Sequence, residues 1–308
     1  MPLKSRMRNP VLHSGDGVAL VAPARKISES ELSCAIALLE GEGFRVMESP
    51  HLFGSCGQFS GTDAGRAADF QWAIAHPEVK AIWCVRGGYG GLRIVDRVDF
   101  SPLVRNPKWV CGYSDTTVFH ACLQRLGLES LHCTMPVNVT PETAESISVR
   151  TMLQALMKGS LDYRIPSHPM NRRGNAEGVM CGGNLSLLYA LQASSTDLDT
   201  AGKILFIEDL DEYLYHIDRM MLSLKRSGKL ARLAGLVVGN LSDMHDNIVP
   251  FGKTAEEIVM EHVSEYGYPV CFGFPAGHAN PSENRALVFG RTARLSVRDD
   301  GVELSFKY

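Results

Sequence analysis

Four short stretches of this chain place reactive side chains or exposed backbone at the ends of apolar runs. Gly112-Tyr113-Ser114-Asp115 follows Trp109-Val110-Cys111 and precedes Val118, Phe119, Cys122, Leu123 and Leu126 at helical spacing. A serine at such a strand-to-helix turn has its hydroxyl beside backbone N–H groups at the positive end of a helix. That geometry suits a nucleophile whose transition state develops an oxyanion, and it equally suits a plain helix cap by Ser114 or Asp115. Arg86-Gly87-Gly88-Tyr89-Gly90-Gly91 follows Ala81-Ile82-Trp83-Cys84-Val85. Its glycines can turn backbone N–H groups toward an anion, or simply make a tight turn. It lacks G-x-G-x-x-G in strand-turn-helix order and lacks a Walker lysine. Glu208-Asp209 follows Ile204-Leu205-Phe206-Ile207. A carboxylate there can orient a histidine, or can serve with Asp211 and Glu212 as helix-start charge. His278 ends Phe274-Pro275-Ala276-Gly277-His278, a Gly/Pro-containing loop behind an apolar run. One histidine among ten says little alone, but a serine, a glutamate and a histidine each ending a different strand is the composition of a triad.

The elements that must position them alternate. Val18 to Val21 reads as a buried strand, Ser28 with Glu31 as a capping box ahead of Leu32, Ala35, Ile36 and Leu39, and Phe44 to Met47 as a second strand. Asp63 to Ala75 has Ala67, Phe70 and Ile74 at helical spacing, Ala81 to Val85 is a third strand, and the fourth leads to Ser114. Ser130 to Cys133 follows. Such alternation argues for a parallel sheet with helices on its faces. A helix from Ile147 to Met157 precedes a polar stretch with Pro166, Pro169 and Arg172-Arg173-Gly174. The expected division is therefore residues 1–150, a connection over 151–174, and a second domain over 175–308. That second half carries Val179 to Gly183, a helix from Asn184 to Gln192, the strand before Glu208, and a helix with Leu214, Ile217, Met221 and Leu224. Leu236 to Val238 and Val270 to Phe272 read as strands, and Leu295 to Phe306 as a hairpin around Asp300-Gly301.

Composition narrows the function classes. The chain has 308 residues, 45% hydrophobic and 21% charged, the profile of a soluble globular protein of two domains. A net charge of −3 gives no electrostatic case for nucleic acid or an anionic membrane as partner. No apolar run reaches the roughly 18 residues of a membrane span. Met1 to Ser14 has Lys4, Arg6 and Arg8 with no apolar core behind them, so it reads as a loosely ordered lead-in and not a secretory signal. The eight cysteines show no C-x-x-C pair and no zinc spacing, and most lie in apolar runs as small core residues. A reducing, cytoplasmic setting without metal or cofactor is the expectation.

Several motifs together resemble the LD-carboxypeptidase family, serine peptidases that trim murein tetrapeptides. They are Gly61-Thr62-Asp63 with Arg66-Ala67-Ala68-Asp69, Ala81 through Gly90, Gly112-Tyr113-Ser114-Asp115, Gly182-Gly183-Asn184-Leu185, Leu205 through Asp209, and Phe272-Gly273 through Gly277-His278. They span about residues 16 to 292 in the family's order. The resemblance implies an α/β fold, an N-terminal flavodoxin-like parallel-sheet domain joined to a C-terminal α/β domain, as a homodimer needing no metal. It implies Ser114 as nucleophile, His278 as general base and then acid, and Glu208 as the base's orienting partner. Peptide N–H groups of Asp115 and of the Gly87-Gly88 turn would form the oxyanion hole. Losing such a donor costs roughly 3–4 kcal/mol of barrier. Arg86 is the expected binder of the substrate's terminal carboxylate, for which a bidentate guanidinium is suited.

The leading expectation is thus a cytoplasmic serine carboxypeptidase releasing terminal D-alanine from a muropeptide. Thr116 stands where a G-x-S-x-G elbow has its second glycine, which disfavours an α/β-hydrolase lipase or esterase. Two alternatives remain. One is a hydrolase of peptidyl- or aminoacyl-nucleotides resembling microcin-C immunity proteins, although no aromatic insertion for a nucleobase is evident between Asn171 and Gly183. The other is a non-catalytic α/β protein that uses the glycine turn as an anion cradle.

Overall fold

The computed structural model describes residues 8–306; Lys4 and Arg6 of the lead-in lie outside the described residues. The chain forms two compact units, Met1–Gly159 with Pro281–Gly290, and Ser160–Asn280 with Arg291–Tyr308. In chain order the first unit lays down β1 (Gly17–Val21), α1 (Glu29–Gly41), β2 (Arg45–Glu48), α2 (Asp63–Ala75), β3 (Val79–Cys84), α3 (Gly91–Ile94), β4 (Trp109–Gly112), α4 (Thr117–Arg125), β5 (Ser130–His132) and α5 (Ile147–Lys158). The second follows with β6 (Asp162–Ile165), β7 (Gly174–Asn184), α6 (Leu185–Ala190), β8 (Lys203–Leu210), α7 (Leu214–Arg226), β9 (Gly235–Ser242), α8 (Ala255–Val263) and β10 (Val270–Cys271). β11 (Leu287–Phe289) returns to the first unit, and β12 (Thr292–Arg298) and β13 (Gly301–Phe306) complete the second. The stretch 151–174 therefore holds the end of α5 and all of β6 rather than a bare connection.

The first unit's sheet has the order β11-β5-β4-β3-β1-β2. Its five parallel strands read 2-1-3-4-5, the flavodoxin-type winding, in which ligands sit outside the carboxyl ends of the strands. β11 pairs antiparallel with β5. The strands read as apolar runs because both faces are covered. Trp83, Trp109, Phe70 and Phe119 are buried, with the Phe70 and Phe119 rings 4.5 Å apart. Both ends of α2 are anchored by buried cations. Arg66 reaches out from its first turns, while Lys108 donates to the carbonyls of Ala73 at 3.0 Å, Ile74 at 2.7 Å and His76 at 2.5 Å. These are C-terminal carbonyls without helical partners, where a cation is favoured. Part of the lead-in is also fixed. Leu12 is buried and donates its N–H to the Leu156 carbonyl, and the Asn9 amide donates to the carbonyls of Lys108 and Glu129. The expected loose order does not hold there.

The second unit has one mixed sheet, β10-β9-β8-β7-β12-β13-β6. β7 to β10 are parallel and joined through α6, α7 and α8, whereas β12, β13 and β6 add antiparallel strands. Ile217, Met220, Met221 and Leu224 make one face of α7 and pack with Ile258 and Val259 of α8 over Leu205, Ile207, Leu236 and Val238. Among the described residues no helix is long and apolar enough to cross a membrane.

Candidate active site

The first unit shapes its strand ends through the backbone. Gly112 closes β4 at φ +146°, and a Cβ there would lie 2.7 Å from the Thr116 hydroxyl, so only glycine fits. Two residues on, Ser114 has φ +59°, a left-handed conformation that a non-glycine residue adopts only when its surroundings dictate it. The Thr116 N–H closes the turn on the Tyr113 carbonyl at 3.1 Å. Capping does not explain Ser114 or Asp115. Thr116 is the N-cap of α4 and makes no side-chain cap bond. The Asp115 carboxylate is buried and accepts the Gly91 N–H at 2.6 Å. Burial pushes it up to about 6, against the opposing pull of the Gly91 and Gly90 N–H groups and Arg66.

That bond ties the serine turn to the glycine turn. A Cβ on Gly87 would lie 3.0 Å from the Ser114 Cβ and 3.1 Å from its Oγ, so the first glycine of the turn abuts the serine itself. Gly88 and Gly90 have φ +105° and +148°. Arg66, buried inside the unit, donates from Nη1 to the Gly90 carbonyl at 2.9 Å and also to the Pro23 carbonyl. Asp63 pairs with both Arg66 and Arg93. The turn is thus clamped from both sides, by a carboxylate on its N–H and a guanidinium on its carbonyl.

The second unit builds its strand ends from side chains. Glu208 in β8 is fully buried, and its Oε2 lies 2.6 Å from His278 Nδ1. A distortion of the sheet makes this possible. Ile207 pairs with Val238 and Asp209 with Leu241, so β9 carries one extra residue opposite Glu208. At that bulge the Asn240 N–H reaches the Ala276 carbonyl at 2.9 Å, and the Phe274 N–H reaches the Val238 carbonyl at 3.1 Å. The loop carrying His278 is thereby stitched beside β8. Gly277, at φ +122°, leaves room for Glu208, since a Cβ there would approach its Oε2 to 3.0 Å. A carboxylate only accepts, so His278 Nδ1 carries the proton and Nε2 is the basic nitrogen. Burial pulls the imidazole down, but the charge and hydrogen bond of Glu208, with Asp209 beyond, outweigh it and raise His278 above its ordinary value.

Asp209, which the sequence offered only as helix-start charge, is itself buried. Its Oδ1 accepts from the Asn184 amide at 2.8 Å and the Leu210 N–H at 3.0 Å, and its Oδ2 from the Ser186 N–H and hydroxyl at 2.9 and 3.0 Å. Burial, then the charge of Glu208, raises it to about 6. Gly182-Gly183-Asn184 entered the sequence reading only as part of the family resemblance; the fold shows that Asn184 pairs in register with Glu208.

Both halves of the chain match known domain models. Residues 18–133 match the LD-carboxypeptidase N-terminal domain, and residues 177–295 its C-terminal domain. A probable murein peptide carboxypeptidase of Bacillus subtilis (strain 168) is 35% identical, covering 94% of this chain and 91% of that protein. This chain belongs to the LD-carboxypeptidase family. It is a serine-type hydrolase. The crystal structure of muramoyltetrapeptide carboxypeptidase from Oxalobacter formigenes superposes with a TM-score of 0.86 at 27% identity, covering 95% of this chain and 99% of that one. The microcin C7 immunity protein MccF in complex with glutamyl sulfamoyl guanosine superposes at 0.83 and 20% identity, covering 98% and 99%; it shows the shared fold alone.

In this LD-carboxypeptidase the Gly87 contact with Ser114 and the Glu208–His278 pair are each fully formed within a unit. Arg86 is engaged elsewhere: its Nη1 donates to Glu31 Oε1 at 2.9 Å, with both side chains partly exposed. Glu31 also closes the capping box of α1. Arg86 would have to leave Glu31 to take a substrate carboxylate.

Proposed function

We propose that this enzyme hydrolyses the L,D-peptide bond to the terminal D-alanine of murein tetrapeptides through Ser114, His278 and Glu208. The observation that carries the reading is the buried Glu208–His278 pair at 2.6 Å, an imidazole with its tautomer fixed and its basicity raised. A serine hydroxyl is a weak nucleophile and needs such a base. His278 Nε2 takes the Ser114 proton as Oγ attacks the scissile carbonyl. The oxyanion is met by the N–H of Asp115 and by N–H groups of the Gly87-Gly88 turn. His278 then protonates the departing D-alanine amine, and water, activated by the same imidazole, releases the shortened peptide. The same proposal carries a cytoplasmic homodimer acting on recycled cell-wall fragments, with Arg86 on the terminal carboxylate.

The deciding experiment is D-alanine release from a purified tetrapeptide by Ser114→Ala, expected to fall at least about 10³-fold. Normal hydrolysis by that variant would overturn the mechanism. Running the wild type against an acyl-sulfamoyl adenylate decides the substrate: faster turnover of the nucleotide conjugate than of the muropeptide replaces this reading. A monomeric mass by light scattering removes the dimer.

A further inference from the structure

Behind the serine turn lies a histidine that the proposed chemistry does not use. His120, on α4, is completely buried. Its Nε2 is 2.9 Å from the Gly112 carbonyl and its Nδ1 is 2.8 Å from the Ser130 hydroxyl. A carbonyl can only accept, so Nε2 carries the proton; a neutral ring must then accept at Nδ1, and the Ser130 hydroxyl donates to it. Burial pulls the imidazole down to about 4, so the ring is neutral at working pH and both bonds have a fixed sense. Phe289 packs edge-on at 5.3 Å and His132 lies 6.4 Å away, ring to ring.

The Gly112 carbonyl also accepts the Cys133 N–H at 3.2 Å, so both its lone pairs are used. That carbonyl belongs to the peptide plane entering Tyr113, and the next carbonyl, that of Tyr113, is held by the Thr116 N–H at 3.1 Å. The two peptide planes ahead of Ser114 therefore have their rotation fixed. Backbone in the left-handed region is strained for a residue with a side chain and persists only where neighbours over-determine it. β4 and the turn supply part of that restraint. The His120 N–H adds a side-chain donor to it.

We propose that His120 is a positioning residue for the nucleophile: by donating from Nε2 to the Gly112 carbonyl, with Ser130 fixing its tautomer, it holds the peptide ahead of Ser114 and so aims the hydroxyl. This rests on Ser114 being the nucleophile, and the two claims fail separately. Hydrolysis surviving Ser114→Ala sinks the nucleophile whatever His120 does. Misaiming of about 1 Å at a reacting group costs roughly 10²-fold in rate.

The test compares His120→Phe, which keeps the ring and loses both bonds, with His120→Gln, whose amide can donate to Gly112 and accept from Ser130. Ser130→Ala frees the tautomer and leaves the ring. Each variant is measured for kcat and KM on the tetrapeptide, for the rate of Ser114 labelling by a fluorophosphonate, and for thermal midpoint. The expected result is a fall of about 30-fold in kcat and in labelling for His120→Phe with KM within about twofold. His120→Gln should recover to within about fivefold of wild type, with Ser130→Ala similar or milder. Unchanged kcat and labelling in a folded His120→Phe overturns the proposal. Should that variant not fold, His120→Gln and Ser130→Ala decide. Wild-type labelling with Ser130→Ala, together with a loss in His120→Gln as deep as that of Ser114→Ala, overturns it as well.

Discussion

At Ser114 the chain holds a reactive side chain by shaping its backbone, whereas at Glu208 it holds one by surrounding it with side chains. Around Ser114 the agents are Gly112 at φ +146°, the serine's own φ of +59°, and Gly87, whose missing Cβ leaves space against Oγ. Around Glu208 the agents are an imidazole at 2.6 Å and the neighbouring buried carboxylate of Asp209, itself held by the donors of Asn184 and Ser186. The difference matches what the proposed mechanism asks of each group. A nucleophile needs position, which backbone geometry sets stiffly. An acid–base pair needs a tuned proton affinity, which only charges and hydrogen bonds set. Damage at the first place should therefore appear in rate with an unmoved pH profile, and damage at the second should move the profile.

Glu208→Gln is the largest break on the second side. It removes the charge and the hydrogen bond that raise His278 and leaves the burial that lowers it. The amide can also present its NH₂ to Nδ1 and impose the wrong tautomer. A fall of roughly 10³-fold in kcat is expected. The sign of the pH effect follows from the proposed role of His278 as base. In wild type the acidic limb of kcat/KM should mark the raised imidazole losing its proton, and in the variant the limb should move to lower pH. A limb that stays in place removes Glu208 from the pair's electrostatics.

Gly87→Ala is the matching break on the first side. The Gly87 N–H is retained and its φ lies outside the left-handed region, so the backbone tolerates alanine. The new methyl would stand 3.0 Å from the Ser114 Cβ, 3.1 Å from Oγ and 3.6 Å from the Asp115 nitrogen. Rate on the tetrapeptide should drop about 10²-fold with the acidic limb unmoved and the thermal midpoint within a few degrees. A shifted limb would show that the two regions are not separable in this way.

The same contrast decides what the sequence could reveal. Backbone-built features leave local marks: glycines beside a serine after an apolar run, and a Gly-Gly turn behind another, both legible at Ser114 and at Arg86–Gly91. The flavodoxin-type alternation and the final hairpin, with Arg298 paired to Gly301, are legible for the same reason. Side-chain-built features depend on pairs far apart. The β9 bulge that stitches the His278 loop beside Glu208 has no local signature, because Asn240 and Ala276 meet only once the sheet exists. β11 is three residues pairing with a strand some 155 positions earlier, too short to show a period. Arg86 looked available until Glu31, from α1, took it. Helix α8 is a different case: Thr254 and Glu257 form a capping box as legible in the sequence as that of Ser28 with Glu31.

The smallest effect sharpens the comparison most. Asp209 is the last of the groups that raise His278, and its own carboxyl is pushed up to about 6 by burial and by the charge of Glu208. Near pH 7 it is ionised and adds to the field on the imidazole; below about pH 6 it takes up a proton and contributes nothing. Asp209→Asn should therefore shift the acidic limb downward, by less than Glu208→Gln does, with kcat at its plateau within a few-fold of wild type. The two pH profiles should converge below pH 6, where the wild-type carboxyl has become as neutral as the amide. Asparagine can satisfy only one of the two donor groups, those of Asn184 with Leu210 or those of Ser186, so its NH₂ faces another donor and the fold should lose about 1–3 kcal/mol in denaturant titration. A rate loss with no shift in the limb would make Asp209 a strut for β8, and control of proton affinity would then reside in Glu208 alone.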